Sequence, residues 1–347
     1  MGWYPDFVDL RSDTATRPTE GMQRAINEAR LGDEQKEEDP TIQALERRVA
    51  SYFGHDTALF LPTATMANQI ALALHCDAGD EIYLHESAHI VNHEGGATSM
   101  LSRAQMKTLS GDNGIFSGAH VEPMIRVDDP HHPRSRLVVM ENTSNGGGGT
   151  VWPDDAFASV IDVCTRHGLA THIDGARLLN AAVKRGVEPT HWTASVTTAQ
   201  ICFSKGLGCP FGAMLVMPES LRWKARRLKQ AFGGALRQAG VVGAAMLYAL
   251  DHHVERLQDD HERAKSLADG LSQLEGLSVS RPETNLVFFK VIREGMSAET
   301  FCQHLSEQGV RMGTTADGRV RACLHMDVDD AQIEKAIQGS KQVMNGA

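Results

Sequence analysis

The chain has 347 residues, 41% hydrophobic and 22% charged. This is the composition of a soluble globular protein, long enough for one large domain and a smaller one. Its formal charge of −10 comes without a basic cluster, which argues against nucleic acid as a partner but leaves small anions open, since local donors hold those. No apolar run reaches the roughly 18–20 residues of a membrane span. The N-terminus has neither the basic start nor the apolar run of a signal peptide, and Asp6 stands where an acylated Gly2 would need Ser or Thr. Cys76, Cys164, Cys202, Cys209, Cys302 and Cys323 form no C-x-x-C pair and mostly sit in apolar runs, so reduced thiols of a cytoplasmic protein are expected.

Pro18 to Leu31 reads as a helix, and "GDEQKEED" as a charged loop after it. Asp39-Pro40 supplies an N-cap and an N1 proline, opening a helix through Phe53. "TALFLP" (57–62) is a short apolar strand, and a helix follows from Thr63–Thr65. "EIYLH" (81–85) is a strand, with a helix from about Ser87. "RLVVMEN" (136–142) is a strand, and "PDDAFASVIDVCTRHG" (153–168) an amphipathic helix ended by glycine. "LATHIDGA" (169–176), a strand within "SVTTAQICFSKG" (195–206) and "GAMLVM" (212–217) complete the series. "NGGGGT" (145–150) reads as a turn. Short apolar strands alternating with helices predict an α/β fold with a large, mostly parallel sheet. Helical patterns from 235 to about 275, then "LVFFK" (286–290), a helix near 297–308 and "RVRACLH" (319–325), predict a small α+β C-terminal unit. We place the large domain, with the N-terminal segment, at 1–255 and the small one at 256–347.

Residues 81–96 contain His85-Glu86-Ser87-Ala88-His89, with His93 four residues on. On a helix the three histidines would share a face, the ligand pattern of a zinc hydrolase. But "EIYLH" reads as a strand running up to His85, so the helix starts too late to present that residue. No metal ligand set is expected. A nicotinamide-binding reading fails because "ATMANQ" does not supply G-x-G-x-x-G after the first strand. His120, His131 and His132 read as surface-loop residues, and His252 and His253 as a solvated helix face.

Three other motifs carry chemistry. "HIDGAR" puts Asp174 at the end of a strand, with Arg177 three residues on. "CFSKG" puts Lys205 at the end of another. "PTATMANQ" is a strand-to-helix turn through Thr63 and Thr65. In open α/β sheets ligands bind beyond the carboxyl ends of strands. A helix N-terminus suits a phosphate, a partly desolvated lysine can form a Schiff base, and an aspartate can pair with a pyridinium nitrogen. These are the parts that pyridoxal 5'-phosphate (PLP) chemistry needs.

In chain order, "DLRSDTATRPTEGM", "GDEQKEEDPTIQALE", "ALFLPTATMANQ", "AHI", "ENTSNGGG", "HIDGAR", "FSKGLGCPFG", "GGALRQAG" and "VRACLHMDV" resemble the threonine aldolase family of fold-type I PLP enzymes, nearly end to end. The resemblance implies that Lys205 carries the cofactor, Asp174 keeps its ring nitrogen protonated, and His89 stacks on its ring. Ala64 and Thr65, beside Thr63, match the phosphate-binding turn. Arg237 matches an arginine reaching a phosphate across a subunit interface. Ser12, Arg177 and Arg321 match the groups that hold a substrate carboxylate. The implied reaction is retro-aldol cleavage of a β-hydroxy-α-amino acid, such as threonine, allo-threonine or phenylserine, to glycine and an aldehyde. The alternative is another PLP lyase or a racemase. The implied assembly is a homotetramer with active sites shared between chains.

Several departures from the family pattern fall near the substrate. Ser144 stands where the family has a histidine that contacts the substrate hydroxyl. Lys36 replaces an aromatic residue, His93 a tyrosine, Gln230 a lysine and Ala64 a glycine. Serine is a poor base at neutral pH, so His85 or His93 is a candidate for the missing imidazole. A water or the cofactor phosphate is the alternative.

Overall fold

The computed structural model describes residues 7–346. Residues 1–6, the first part of the stretch weighed for a leader and all of the acylation positions, lie outside them. The strands are β1 (Val8–Asp9), β2 (Thr57–Leu61), β3 (Glu81–His85), β4 (Gln105–Leu109), β5 (Ser135–Glu141), β6 (Ala170–Gly175), β7 (Thr198–Cys202) and β8 (Ala213–Met217). β9 (Leu277–Val279), β10 (Leu286–Val291), β11 (Val310–Arg311), β12 (Gly313–Thr314) and β13 (Val320–Cys323) follow. β2 to β8 form one sheet in the order β2-β8-β7-β6-β5-β3-β4. It is parallel except where β8 runs against β2 and β7. The expected α/β architecture is therefore observed.

The apolar strands of this sheet are covered on both faces, which is why they read as runs and not as alternations. β2, β3, β7 and β8 are buried at every position. β4 is the exception. It lies at the sheet edge, its buried residues are few, and "QMKTL" gave no strand signal.

Helices α1 (Glu20–Asn27), α2 (Pro40–Tyr52), α3 (Ala64–His75) and the short α4 (His89–Asn92) precede β4. α2 shows how local signals set an element. The Asp39 carboxylate accepts the N–H groups of Thr41 and Ile42 at 3.1 and 3.0 Å, and Pro40 needs no N–H at the first helical position. Ile42, Leu45 and Val49 then fall on one buried stripe, each contributing about 1.5–3 kcal/mol of burial. The other oxygen of Asp39 accepts from Gly32 and Gly240, so the cap also fastens the loop after α1 to the helix Gly240–His252.

The smaller unit packs the helices Leu257–Leu271, Ala298–Glu307 and Asp330–Gly346 around the antiparallel sheet β12-β13-β10-β9. One expectation needs correction here. Residues 1–255 read as one unit, but β1 pairs with β11, and Val8 and Leu10 are buried in the core of the C-terminal unit. The pairing is long-range, and two residues of strand are too short to show in a hydropathy pattern. At the other boundary, the helix Leu257–Leu271 begins in the large core and continues in the small one.

Candidate active site

The parallel strands β3, β5, β6 and β7 end at one edge of the sheet. Glu141, at the end of β5, lies in register with Asp174 near the end of β6. Lys205 follows the end of β7. Leu61, at the end of β2, is level with Ala213, which is level with Cys202 at the end of β7. The first turn of α3 therefore opens at the same edge as Lys205.

A cavity of about 660 Å³ sits on this edge, roofed by the small domain. Ser12 lines it from the N-terminal segment, Ser87, His89, His93, Glu141, Thr143, Asn145, Ala176, Arg177 and Lys205 from the large domain, and Phe288, Arg319 and Arg321 from the small one. The loop carrying Lys205 is held from two sides. Its carbonyl accepts the Thr16 hydroxyl at 2.8 Å and the Gly208 N–H at 2.8 Å. The buried His253 ring donates to the Leu207 carbonyl at 2.8 Å. His253 was expected on a solvated face. The helix ends at His252, and the next side chain turns inward.

A carboxylate and amide network lies under the cavity floor. Burial holds the His172 ring neutral, its pKa pushed down to about 3. Its Nδ1 meets the Thr198 hydroxyl at 2.9 Å, and its Nε2 donates to the Asn68 carbonyl oxygen at 3.1 Å. That bond orients the Asn68 amide, whose Nδ2 donates to Glu94 at 2.8 Å and to Asp174 at 2.9 Å. Glu94 also accepts from Gln69 at 2.7 Å and meets His89 Nδ1 at 3.1 Å. This bond raises the His89 pKa above the ordinary histidine range. His89, Glu94 and Asp174 bring one ligand atom each within 4.8 Å of one another.

Glu141 is the second buried carboxyl at the floor. Its oxygens accept the backbone N–H groups of His89 and Asn145, both at 2.6 Å. Burial, with the Asp174 carboxylate beside it, pushes its pKa up to about 7. Arg177 is buried and grips Asp13 through two bonds of 2.7 and 2.8 Å. The guanidinium holds the Asp13 carboxyl well below the usual carboxylate range despite its burial. The Asn145 amide oxygen accepts from Arg177 at 3.2 Å and from Arg321 at 3.4 Å, so it spaces the two arginines.

Of the residues picked out in the sequence, Ser12, His89, His93, Arg177, Lys205 and Arg321 line the cavity, and Asp174 lies at its floor through Asn68 and Ala176. Thr63 caps α3 by accepting the Met66 N–H at 3.1 Å, which leaves the N–H groups of Ala64 and Thr65 at the helix mouth, outside the cavity lining. Arg237 is exposed, 3.3 Å from Asp33, and does not reach the cavity of its own chain. Gln230 is exposed too, while its neighbour Lys229 is buried against Glu34 at 2.5 Å.

Two candidates point elsewhere. His85 is buried, with Nδ1 2.8 Å from the Ser87 hydroxyl and Nε2 3.0 Å from the Gly111 carbonyl, and it does not line the cavity. It closes β3, whereas His89 opens α4, so H-E-x-x-H spans two elements and is not a helical face. Ser144 is buried, and its hydroxyl accepts the Gly147 N–H at 3.2 Å, inside the glycine turn that Ser144 and Thr150 close by a bridge.

The reading from sequence passed over Asn68, Glu94, Glu141, Asn145 and Asp13. Asn68 stands one turn after Ala64 on α3, so helical spacing placed it on the phosphate-side face. Nothing local marked Glu94 or Glu141, whose roles arise only when three strands and a helix meet.

A lysine and an aspartate at neighbouring strand ends of a seven-stranded, mostly parallel sheet, under an imidazole and a small α+β domain, define a fold-type I PLP enzyme. The chain belongs to the beta-eliminating lyase family, whose model matches residues 9–294. It is 36% identical to the probable low-specificity L-threonine aldolase 2 of Arabidopsis thaliana over 345 residues, 97% of either chain. Among solved structures, the threonine aldolase of Leishmania major superposes with a TM-score of 0.83 at 19% identity, over 97% of this chain and 99% of that one. The high-resolution structure of SPT with PLP internal aldimine superposes with a TM-score of 0.73 at 16% identity, over 98% and 88%. At those identities the two structures speak for the fold. Among the described residues no helix is long and apolar enough to cross a membrane.

Proposed function

We propose that this chain is a PLP-dependent aldolase that cleaves β-hydroxy-α-amino acids of the threonine type to glycine and an aldehyde. The observation that carries it is the convergence of Lys205, Asp174 and His89 with two arginines, Arg177 and Arg321, on one cavity.

The residues present fit the cofactor. Thr143 lines the cavity, and its buried hydroxyl has no partner among the described residues, so a polar group of a ligand can satisfy it. Lys205 would hold the cofactor covalently, Asp174 its ring nitrogen, His89 the face of its ring, and Ala64 and Thr65 its phosphate. When bound, the cofactor supplies an electron sink for the pair released at Cα.

The chain's own residues supply orientation and charge. Asn68 donates one N–H hydrogen bond to each of Asp174 and Glu94 and so bridges the two carboxyl groups, leaving Asp174 in place for a cationic partner. Glu94 fixes the His89 ring through Nδ1. Arg321 faces the cavity and, with Ser12 and Arg177, would hold the substrate carboxylate by charge-assisted bonds. Holding the carboxylate at one end would fix the orientation of the bonds at Cα, and so which of them breaks. Asp13 fixes the Arg177 guanidinium at the cavity wall through Nε and Nη2.

The assembly belongs to the same reading: a homotetramer, with Arg237 of one chain serving the phosphate end of another chain's site. Its exposure, and its distance from the cavity of its own chain, support this. Light scattering, with mixed Lys205→Ala and Arg237→Ala subunits, tests it. Recovery of activity on mixing is expected, and no recovery from a stable oligomer overturns the shared site.

The test of the activity is direct. Protein supplied with PLP is given threonine, allo-threonine and phenylserine separately, and glycine and aldehyde are measured. Equimolar glycine and aldehyde are expected. Release of ammonia and a keto acid, or isomerised substrate alone, would instead identify an eliminating lyase or a racemase.

A further inference from the structure

Retro-aldol cleavage needs a group that takes the β-hydroxyl proton. Ser144 is turned into the glycine loop, and His85, which does not line the cavity, has both nitrogens occupied by Ser87 and Gly111. His89 has one nitrogen committed to Glu94. His93 is different. It caps α4 and lines the cavity, and its ring centroid lies 5.6 Å from that of His89. Neither of its ring nitrogens has a hydrogen-bond partner among the described residues. Partial desolvation, with His89 and Arg321 nearby, lowers its pKa below the ordinary histidine value. With neither nitrogen bonded within the described residues, the ring is open to a proton donor in the cavity. Its neighbourhood also suits the task, because Arg321 lies on the same cavity and would hold the carboxylate, whose carbon is separated from the β-hydroxyl oxygen only by Cα and Cβ.

Building on the aldolase reading, we infer that His93 is the catalytic base that accepts the β-hydroxyl proton. As the O–H bond breaks, an N–H bond forms on the imidazole and the O–H electron pair becomes the carbonyl bond of the aldehyde. The Cα–Cβ bond breaks, and its pair remains with Cα until a proton reaches that carbon to give glycine. His93 at the exposed rim then returns its proton to water, so one proton leaves oxygen and one arrives at carbon. No oxidant or second substrate is required.

The experiment compares two reactions of the PLP-loaded enzyme. One is cleavage of threonine and phenylserine. The other is exchange of the glycine α-proton in D₂O, followed by NMR, which uses the lysine, the cofactor and the carboxylate clamp but no hydroxyl base. His93→Asn is expected to slow cleavage by about 10²–10⁴-fold, the span of general base catalysis, while glycine exchange stays within about 3-fold. His93→Ala should behave alike and recover part of its cleavage rate with added imidazole. Cleavage within about 3-fold of the unmodified enzyme overturns the inference, as does an equal loss of cleavage and exchange. If the unmodified enzyme catalyses neither reaction, it is the aldolase reading that fails.

Discussion

Arg177 and Asp13, 164 positions apart, form a buried bidentate ion pair, with 2.7 and 2.8 Å between their charged atoms. One comes from the turn after β6 and the other from the N-terminal segment that crosses to the small domain. Asn285 adds a third contact, donating to Asp13 at 3.2 Å. The pair joins both domains at the cavity wall, so its loss touches stability and binding together.

Asp13→Ala leaves a buried guanidinium without its counter-charge. Removing one partner of a buried pair costs about 3–5 kcal/mol. Urea unfolding of the variant should show a loss of that order, with a raised KM in whatever folded enzyme remains. A loss below about 1 kcal/mol would show that water replaces the carboxylate.

Asn145 spaces Arg177 from Arg321, and Asn145→Asp changes that geometry at constant size. The new carboxylate pairs with both guanidinium groups and competes with the substrate for them. Charge-assisted bonds of about 1.5–3 kcal/mol are at stake, so KM should rise roughly 10–150-fold at low salt. The rise should shrink with added salt, as screening weakens the competing pair. Steady-state kinetics at two ionic strengths checks both points.

Asn68→Leu removes the amide that donates to Glu94 and Asp174. Two buried carboxylates are then left under-satisfied at about 1–3 kcal/mol each. Cofactor affinity should fall, and the His89 ring should lose its fixed pose. Titration of the cofactor-free protein with PLP, read by the visible band, measures this. Unchanged affinity would mean that the network serves folding alone.

The raised pKa of Glu141 makes a signed prediction about pH. Its folded-state value, about 7, lies above the ordinary 4.5. The folded chain therefore binds more protons than the unfolded chain across that window, and stability falls as pH rises through it. Thermal melts of the cofactor-free protein between pH 4.5 and 7 should show a downward contribution. Glu141→Gln removes the titrating group and should flatten it, although the amide NH2 cannot accept and one of the two backbone N–H bonds is lost.

Lys205→Ala should abolish both the visible band of the bound cofactor and the cleavage of threonine. Retention of turnover without the lysine would place the chemistry elsewhere in the cavity.

Much of this was legible in the linear chain. "TALFL", "EIYLH" and "GAMLVM" are strands because continuous apolar runs of that length suit a sheet covered on both faces. Asp39-Pro40 and Gly168 mark helix ends by local chemistry alone. Lys205, Asp174 and Arg177 stood out because "HIDGAR" and "FSKGL" occur together in the order of the family they resemble, since a single polar residue near a strand end is ordinary. The helix Glu219–Ala231 gave less away, since its buried positions are few and its charges many. The helix Asp330–Gly346 was likewise passed over.

What the order of residues could not decide is direction and partnership. His85, His89 and His93 share one short stretch and one residue type, yet one is held by Ser87 and Gly111, one is tied to Glu94 and one has no hydrogen-bond partner among the described residues. Strand β3 ends at the first, and the second opens the next helix, so the chain turns between them. Ser144 faces away from the cavity because the glycine turn around it closes on the small domain. Val8 and Leu10 join that domain through a pairing with residues some 300 positions away. Local chemistry chose the elements and the reactive side chains, because caps, turns and apolar runs act over a few residues. Long-range packing chose which side chains meet, because a hydrogen bond's partner is set by the whole chain's path.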